Sequence, residues 1–203
     1  MRDLLNPGSG VLHCRWNIKS GFFVEELLVV DCTNIDDLIA VLHEGIRNRK
    51  TGSHNLNTNS SRSHSILTIY LISDIPGEDG SSLKKYGKIS FVDLAGSERL
   101  KESHSKGKMV KETGNINKSL FTLGKVISSL SDKRVVNKKH IPYRDSKLTM
   151  LLMDSLGGTS KALMIACVSP SDKYADESLS TLNYASRTMN IRNKPVIQMD
   201  GNE

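Results

Sequence analysis

The chain has 203 residues, of which 37% are hydrophobic and 25% charged, with a formal net charge of +6. This composition is typical of a globular domain with one sizeable core. The three cysteines lack CxxC spacing, so neither a disulfide framework nor a zinc site is indicated. The longest apolar run, 162–168, falls far short of the roughly 20 residues that span a bilayer. We expect a soluble, intracellular protein.

The positive charge is concentrated in one region. Residues 101–147 contain 12 Lys and Arg against 4 Asp and Glu, whereas the rest of the chain is slightly acidic. Such density favours a polyanionic partner: nucleic acid, an anionic membrane or an acidic protein surface. A charged face that is merely solvated is the alternative.

The first half of the chain alternates strand and helix patterns. We predict a strand over 22–30, then a helix that begins at an approximate capping box of Thr33 and Asp36 and ends near 50–52. The runs 65–73 and 88–93 are apolar on both faces, as in central strands covered by helices. Glycine and proline between them predict a hairpin.

The second half follows the same alternation. Apolar spacing predicts a long amphipathic helix over 115–131, and a shorter helix over 146–156 that stops at Gly157 and Gly158. Residues 162–169 predict a third buried strand, and a final helix ends before Pro195. The predicted fold class is α/β.

The stretch VDLAGSER, 92–99, places an aspartate at the end of a predicted strand and a glycine three residues later. A carboxylate there can hold a magnesium-bound water, and glycine lets a backbone N–H approach a phosphate oxygen. A tight turn with a capping Asp explains the same residues. The hydroxyl-rich NTNSSRSH, 57–64, precedes the other central strand, so both loops are predicted to open at one sheet edge, although such a loop is often only a connection.

Together with NINKSL at 115–120 and PYRDSKLT at 142–149, these motifs resemble the kinesin motor domain in order and spacing. HIPYRDSKLT, ACVSPS and ESLSTLNYAS are most similar to the kinesin family member twelve group. The resemblance implies a P-loop NTPase-like fold, a central sheet flanked by helices, whose N-terminal strands and P-loop are missing here. Residues 1–194 would form a partial motor domain, and 195–203 the start of the neck linker.

The resemblance also implies roles in ATP hydrolysis with Mg²⁺. Ser60 would contact the γ-phosphate or the attacking water, and Gly96 would sense the γ-phosphate. Arg62 would pair with Glu98 to close the site, since a guanidinium fixes both distance and orientation toward a carboxylate. Ser61 would ligate magnesium directly, and Asp93 would hold it through a water. Asn57 and Asn117 would complete the nucleotide site.

The basic region would then face microtubules, with no role in binding nucleic acid or membranes, and the protein would be cytoplasmic and cytoskeletal. A nucleic-acid-binding domain is disfavoured because only 5% of residues are aromatic and no such motif occurs. The implied microtubule contacts are Lys118, Lys133, Arg134, Lys138, Lys139, Arg144 and Lys147.

One element of the family pattern is absent from the sequence. The phosphate-cradling GxxxxGK[ST] does not occur, and the three Gly-Lys pairs, at 87, 107 and 124, lack its other residues. We therefore expect a fragment of a longer kinesin, inactive alone, with a non-catalytic microtubule-binding module as the alternative. Because the family places a further strand between those matching 88–93 and 162–169, we also expect the isolated chain to be unstable, aggregated or rearranged.

Overall fold

The computed structural model describes residues 1–18, 20–54, 63–76, 82–96, 108–132 and 140–201. Of these, 50–54, 82, 108–117 and 198–201 are described by their backbone alone. The chain divides into two compact units, Met1–Ser63 and His64–Glu203. Across the described ranges, no helix is long and apolar enough to cross a membrane.

The first unit contains a small hairpin. β1 (Cys14–Asn17) pairs antiparallel with β2 (Gly21–Val24). The strand predicted over 22–30 is therefore too long. The chain leaves the ladder after Val24, Glu26 takes a positive φ of 57°, and the Leu28 amide donates to the buried Asp3 carboxylate at 2.8 Å. A side chain thus captures the donor that a longer strand would have used.

Among the described residues of this unit, the one α-helix is α1 (Ile35–His54), which lies close to the predicted helix. Its start is fixed by Asn34, whose Oδ1 accepts from the Asp37 amide at 2.9 Å. Asp37 in turn accepts from the Thr33 amide and hydroxyl, and these hydrogen bonds lower the pKa of Asp37. The predicted pairing of Thr33 with Asp36 is wrong by one residue, because the cap is Asn34.

The second unit is built on an antiparallel sheet in the order β3-β4-β5. β3 (Ser65–Pro76) and β4 (Ser82–Asp93) pair along their whole length, from Ser65 opposite Asp93 to Pro76 opposite Ser82. The predicted antiparallel pairing is confirmed, and both strands extend beyond their predicted bounds. β5 (Gln198–Gly201) adds four residues to the far end of β4.

The prediction that these strands are buried is wrong. Leu71, Ile72 and Phe91 are all exposed, and the predicted strand over 162–169 has no regular structure. There Leu163 is 88% exposed and Ile165 80% exposed. The physical reason is that no other described segment forms a ladder with 162–169, and a lone extended segment has no strand to complete its hydrogen bonding.

The core of this unit lies instead between helices. α2 (Lys108–Ser131) starts seven residues before the predicted position, and α3 (Lys147–Leu151) is capped by Ser146, which accepts from the Thr149 amide. Gly157 ends the turn after α3 with a φ of +85°. A positive φ is the conformation predicted for glycine at this position. The buried apolar cluster consists of Leu123, Val126, Ile127, Leu130, Leu148 and Leu156.

The last helix, α4 (Ala175–Thr188), confirms the predicted final helix. The segment after it returns to the turn that follows α3. Asn193 donates to the carbonyls of Ser155 and Ser160 at 2.9 and 2.7 Å, and accepts from the Gly157 amide at 2.8 Å. One side chain therefore fixes three backbone groups of that turn. Four short 3-10 helices complete the described elements: Pro7–Ser9, Tyr143–Asp145, Met153–Ser155 and Asp172–Tyr174.

Candidate functional site

Asp93 and Gly96 lie at the end of β4. Asp93 is the last residue of the strand and is exposed, and Gly96 follows two residues after Leu94 in a half-buried position. Because β3 runs antiparallel and begins opposite Asp93, the chain that leads into β3 reaches the same edge of the sheet. This register places the end of the 57–64 motif beside the DLAG sequence, as expected for loops that act on one ligand.

His64 joins these segments directly. Its Nδ1 accepts from the Ala95 amide at 2.9 Å, and its Nε2 lies 2.7 Å from the Ser119 hydroxyl oxygen in α2. Since Nδ1 accepts from an amide that can only donate, the ring proton of neutral His64 is on Nε2, which donates to Ser119. Three elements thus meet at one imidazole: the start of β3, the loop after β4, and α2.

The environment keeps this imidazole neutral. Burial lowers the pKa of His64 from its ordinary value, and the nearby Asp93 carboxylate opposes that shift without reversing it. Ala95, the backbone donor, is 4% exposed. A neutral ring with a fixed tautomer can therefore serve as both acceptor and donor at neutral pH.

Several predicted site residues lie outside the described part of the chain. These are Asn57, Ser60, Ser61, Arg62 and Glu98. Asn117 lies on α2 at a position for which only the backbone is described. The predicted Arg62–Glu98 pair and the ligand role of Ser61 therefore remain predictions.

Among the described residues, no cluster of three His, Cys, Asp or Glu side chains can hold a metal directly. The exposed Asp93 carboxylate still fits the predicted role, because magnesium usually keeps several waters and is held through few carboxylates. Hard oxygen donors, Asp93 here and the hydroxyl predicted at Ser61, are the chemistry that this ion prefers.

The three predicted microtubule contacts that the structure describes are exposed. Lys118 lies on α2, Arg144 in the 3-10 helix before α3, and Lys147 at the first position of α3. The other four predicted contacts, Lys133, Arg134, Lys138 and Lys139, lie in the stretch that the structure leaves undescribed.

The two faces of α2 differ in chemistry. Lys118, Phe121 and Lys125 form an exposed stripe, in which the Lys125 ammonium lies 4.6 Å from the centre of the Phe121 ring. The opposite face supplies most of the buried cluster. α2 therefore packs its apolar side on α3 while its cationic side is open to an acidic partner.

Two residues with evident roles were not singled out from the sequence. Ser119 contacts His64, and Asn193 fixes the turn after α3. Both contacts join positions far apart in the chain, so no local pattern predicts them. The one available signal for Asn193 is its place between a helix and Pro195, where a side chain often replaces lost backbone hydrogen bonds.

Comparisons with known proteins agree with the motifs. The family model described as the kinesin motor domain matches residues 1–191. Kinesin-like protein KIN-12F from Oryza sativa subsp. japonica is 46% identical over 198 residues, which are 98% of this chain and 7% of that protein. Kinesin-like protein KIF12 from Mus musculus is 46% identical over 198 residues, covering 95% of this chain and 31% of that protein.

A solved structure of a fast kinesin superposes on the chain with a TM-score of 0.86 and 38% identity. It covers 98% of this chain, and the chain covers 55% of it. The chain therefore belongs to the kinesin motor domain family. Its relatives include members of the twelve group, as the sequence predicted, and it spans less than a third of the length of either curated relative named above.

Proposed function

We propose that this chain is part of a microtubule-based motor that couples ATP binding and hydrolysis to microtubule binding and movement. The observation that carries the proposal is that His64, the last residue of the 57–64 motif, contacts both Ala95 after β4 and Ser119 in α2, the helix whose opposite face is cationic. A nucleotide-dependent change at the end of β4 thereby has a direct route to α2. The family supports the same reading.

In this proposal, the residues at the end of β4 act on the γ-phosphate. The Gly96 amide would approach the phosphate, Asp93 would hold a magnesium-bound water, and Ser61 would ligate the ion. Ser60 positions the attacking water, Asn57 and Asn117 contact the nucleotide, and Arg62 closes the site with Glu98. Bound Mg²⁺ would neutralise developing charge on the phosphate oxygens, and the chain contributes positioning rather than a covalent intermediate.

The partner in this proposal is the acidic surface of tubulin. The exposed Lys118, Arg144 and Lys147 supply cationic contacts, joined by the four basic residues at 133–139. Attraction between such surfaces weakens with salt, because the Debye length is about 8 Å at physiological ionic strength. We accordingly place the protein on cytoplasmic microtubules, with residues 1–194 as part of the motor domain and 195–203 as the start of its neck linker.

A second candidate is a microtubule-binding module without ATP turnover. The observation in its favour is that the 203 residues contain no GxxxxGK[ST] sequence. Without that loop, the amides and lysine that cradle phosphates must come from elsewhere. The two candidates share the cationic face of α2 and differ only in catalysis.

Phosphate release from ATP, measured with and without microtubules, separates the two candidates. We expect no release from the purified 203-residue chain, and microtubule-stimulated release from the full natural protein that contains it. In that protein, Glu98→Ala should abolish turnover while nucleotide binding persists. Co-sedimentation with microtubules but no turnover in the full protein would establish the non-catalytic module instead.

A further inference from the structure

His64 links α2 to the loop after β4 through two hydrogen bonds from one rigid ring. An imidazole is rigid and planar, so its acceptor at Nδ1 and its donor at Nε2 are held at a fixed separation. Ala95 is bound to one nitrogen and Ser119 to the other, at 2.9 and 2.7 Å. A displacement of Ser119 is therefore passed through the ring to the Ala95 backbone.

The residue beyond Ala95 gives this connection its importance. Gly96 follows directly, so its amide lies one residue from the anchored Ala95 amide, and only the φ and ψ angles of Ala95 separate the two peptide planes. Lys118 directly precedes Ser119 in the chain and is exposed on the cationic face of α2. His64 thus links the helix that carries a predicted partner contact, Lys118, to the loop that carries a predicted phosphate contact, Gly96.

We propose that His64 is a positioning residue that couples the microtubule-facing helix α2 to the phosphate-sensing loop at the end of β4, through its hydrogen bonds to Ser119 and Ala95. This inference rests on the proposed motor function. His64 touches neither nucleotide nor microtubule in this role. It sets how a shift of α2 on its partner changes the position of Gly96.

The two hydrogen bonds can be removed separately. The side-chain oxygen of asparagine replaces Nδ1 as an acceptor but does not reach Ser119, whereas the glutamine amide extends toward the Nε2 position and abandons the Nδ1 acceptor. His64→Asn therefore retains the Ala95 bond, and His64→Gln retains the Ser119 bond. Ser119→Ala removes the helix contact and leaves the imidazole in place.

The matched control is Thr68→Ala. It also removes a hydroxyl hydrogen bond, the 3.1 Å contact between the Thr68 and Ser90 hydroxyls, from an exposed part of the same sheet. Because that contact does not involve α2, this variant should behave as wild type in every assay. All variants are made in the full natural protein that contains these residues.

Two readouts are measured: phosphate release with and without microtubules, and hydrogen exchange of the Ala95 amide. Ser119→Ala should keep its basal release and lose microtubule stimulation about 3- to 10-fold, the effect of one neutral hydrogen bond. His64→Asn should lose stimulation to a similar degree while Ala95 exchange stays near wild type. His64→Gln should speed Ala95 exchange about 3- to 10-fold.

The outcomes distinguish this inference from the function on which it rests. A wild-type protein that releases no phosphate under any condition overturns the proposed function and the coupling with it. An active wild type whose Ser119→Ala variant keeps full microtubule stimulation overturns the coupling alone. Equal Ala95 exchange in His64→Asn and His64→Gln would also overturn it, since His64 would then act only as a packing residue.

Discussion

Two regions of the second unit contain similar apolar runs, which are buried in one region and exposed in the other. In α2 and α3, the apolar stripe forms a closed cluster in which Leu123 is 3% exposed. In β3, β4 and the segment 162–169, equally apolar residues face solvent, and Leu163 is 88% exposed. An apolar run therefore specifies burial only where a complementary face is available to cover it.

The largest effect that follows from this comparison concerns association of the isolated chain. Exposed apolar extended segments promote pairing between molecules, so we expect the 203-residue chain to aggregate. Replacing Leu163 and Ile165 by lysine should raise the monomeric fraction roughly several-fold, because charge on such a segment opposes pairing. Analytical ultracentrifugation measures that fraction.

The control for this experiment is Met189→Lys, compared with the single substitution Leu163→Lys because each adds one positive charge; Met189 is 83% exposed but lies outside the extended segments. The Met189→Lys variant should change the monomeric fraction little. Equal improvement by Met189→Lys would show that net charge, and not the segment 162–169, determines solubility. A sharp, cooperative melt of the unaltered chain as a monomer would contradict the expectation more broadly.

The same truncation, leucine to alanine, should have very different costs in the two regions. Leu123→Ala should lower the free energy of unfolding by about 2–5 kcal/mol, because it opens a cavity in the packed cluster. Leu71→Ala, in β3 at a residue 50% exposed, should cost about 1 kcal/mol or less. Urea unfolding of both variants, in the more soluble lysine background, measures the difference. Similar losses would mean that β3 is covered in solution.

The third prediction concerns the edge of the packed region. Asn193→Ala should destabilise the chain by about 1–3 kcal/mol, because three backbone groups of the turn after α3 lose their partner. Asn190→Ala removes one exposed hydrogen bond, to the Ser186 carbonyl, and should cost no more than about 0.5 kcal/mol. The same urea titration measures the free energy of unfolding of both variants. Equal losses would show that the three Asn193 hydrogen bonds stabilise the chain no more than the single bond of Asn190.

The smallest effects are expected at two tyrosines beside the cluster. Tyr143 donates to the Leu156 carbonyl, so Tyr143→Phe should cost about 1 kcal/mol. The Tyr184 hydroxyl is buried and has no hydrogen-bond partner among the described residues. Tyr184→Phe should therefore leave the free energy of unfolding unchanged or raise it by up to about 1 kcal/mol.

The same tyrosines predict a dependence on pH. Burial raises the pKa of both Tyr143 and Tyr184, so the folded chain keeps these protons at a pH where the unfolded chain releases them. The associated stability is complete below the ordinary tyrosine pKa of 10.0 and is lost as the pH rises above it. The doubly substituted Phe variant should show a smaller loss between pH 9 and 11 than the wild type, in unfolding titrations at about those values.

The elements that periodicity could predict are those whose partner lies within the chain. The stripe through Leu123, Ile127 and Leu130 gave α2 its buried face, and the glycine and proline between the apolar runs 65–73 and 88–93 predicted the antiparallel pair. The segment 162–169 carries an equally clear signal, yet a strand is defined by its neighbour and no described strand pairs with it. Local apolarity does not contain that information.

The candidate site divides in a similar way. Motif spacing located Asp93 and Gly96, because their chemistry depends on neighbouring residues in the chain. The bond between His64 and Ser119 joins residues 55 positions apart, and the capture of the Leu28 amide by Asp3 joins residues 25 apart. Such contacts follow from tertiary packing, which single-sequence patterns do not specify.

The return of the chain after α4 determines the order in which it would yield to a pulling force. Load applied at Gly201 first meets the four-residue pairing of β5 with β4, which opens one pair at a time from that end. It next reaches the single hydrogen bonds from Val196 to Thr159 and from Lys194 to Gly158. The Asn193 contacts bear the load last, and together, so the tail peels in small steps before the body of the molecule is strained.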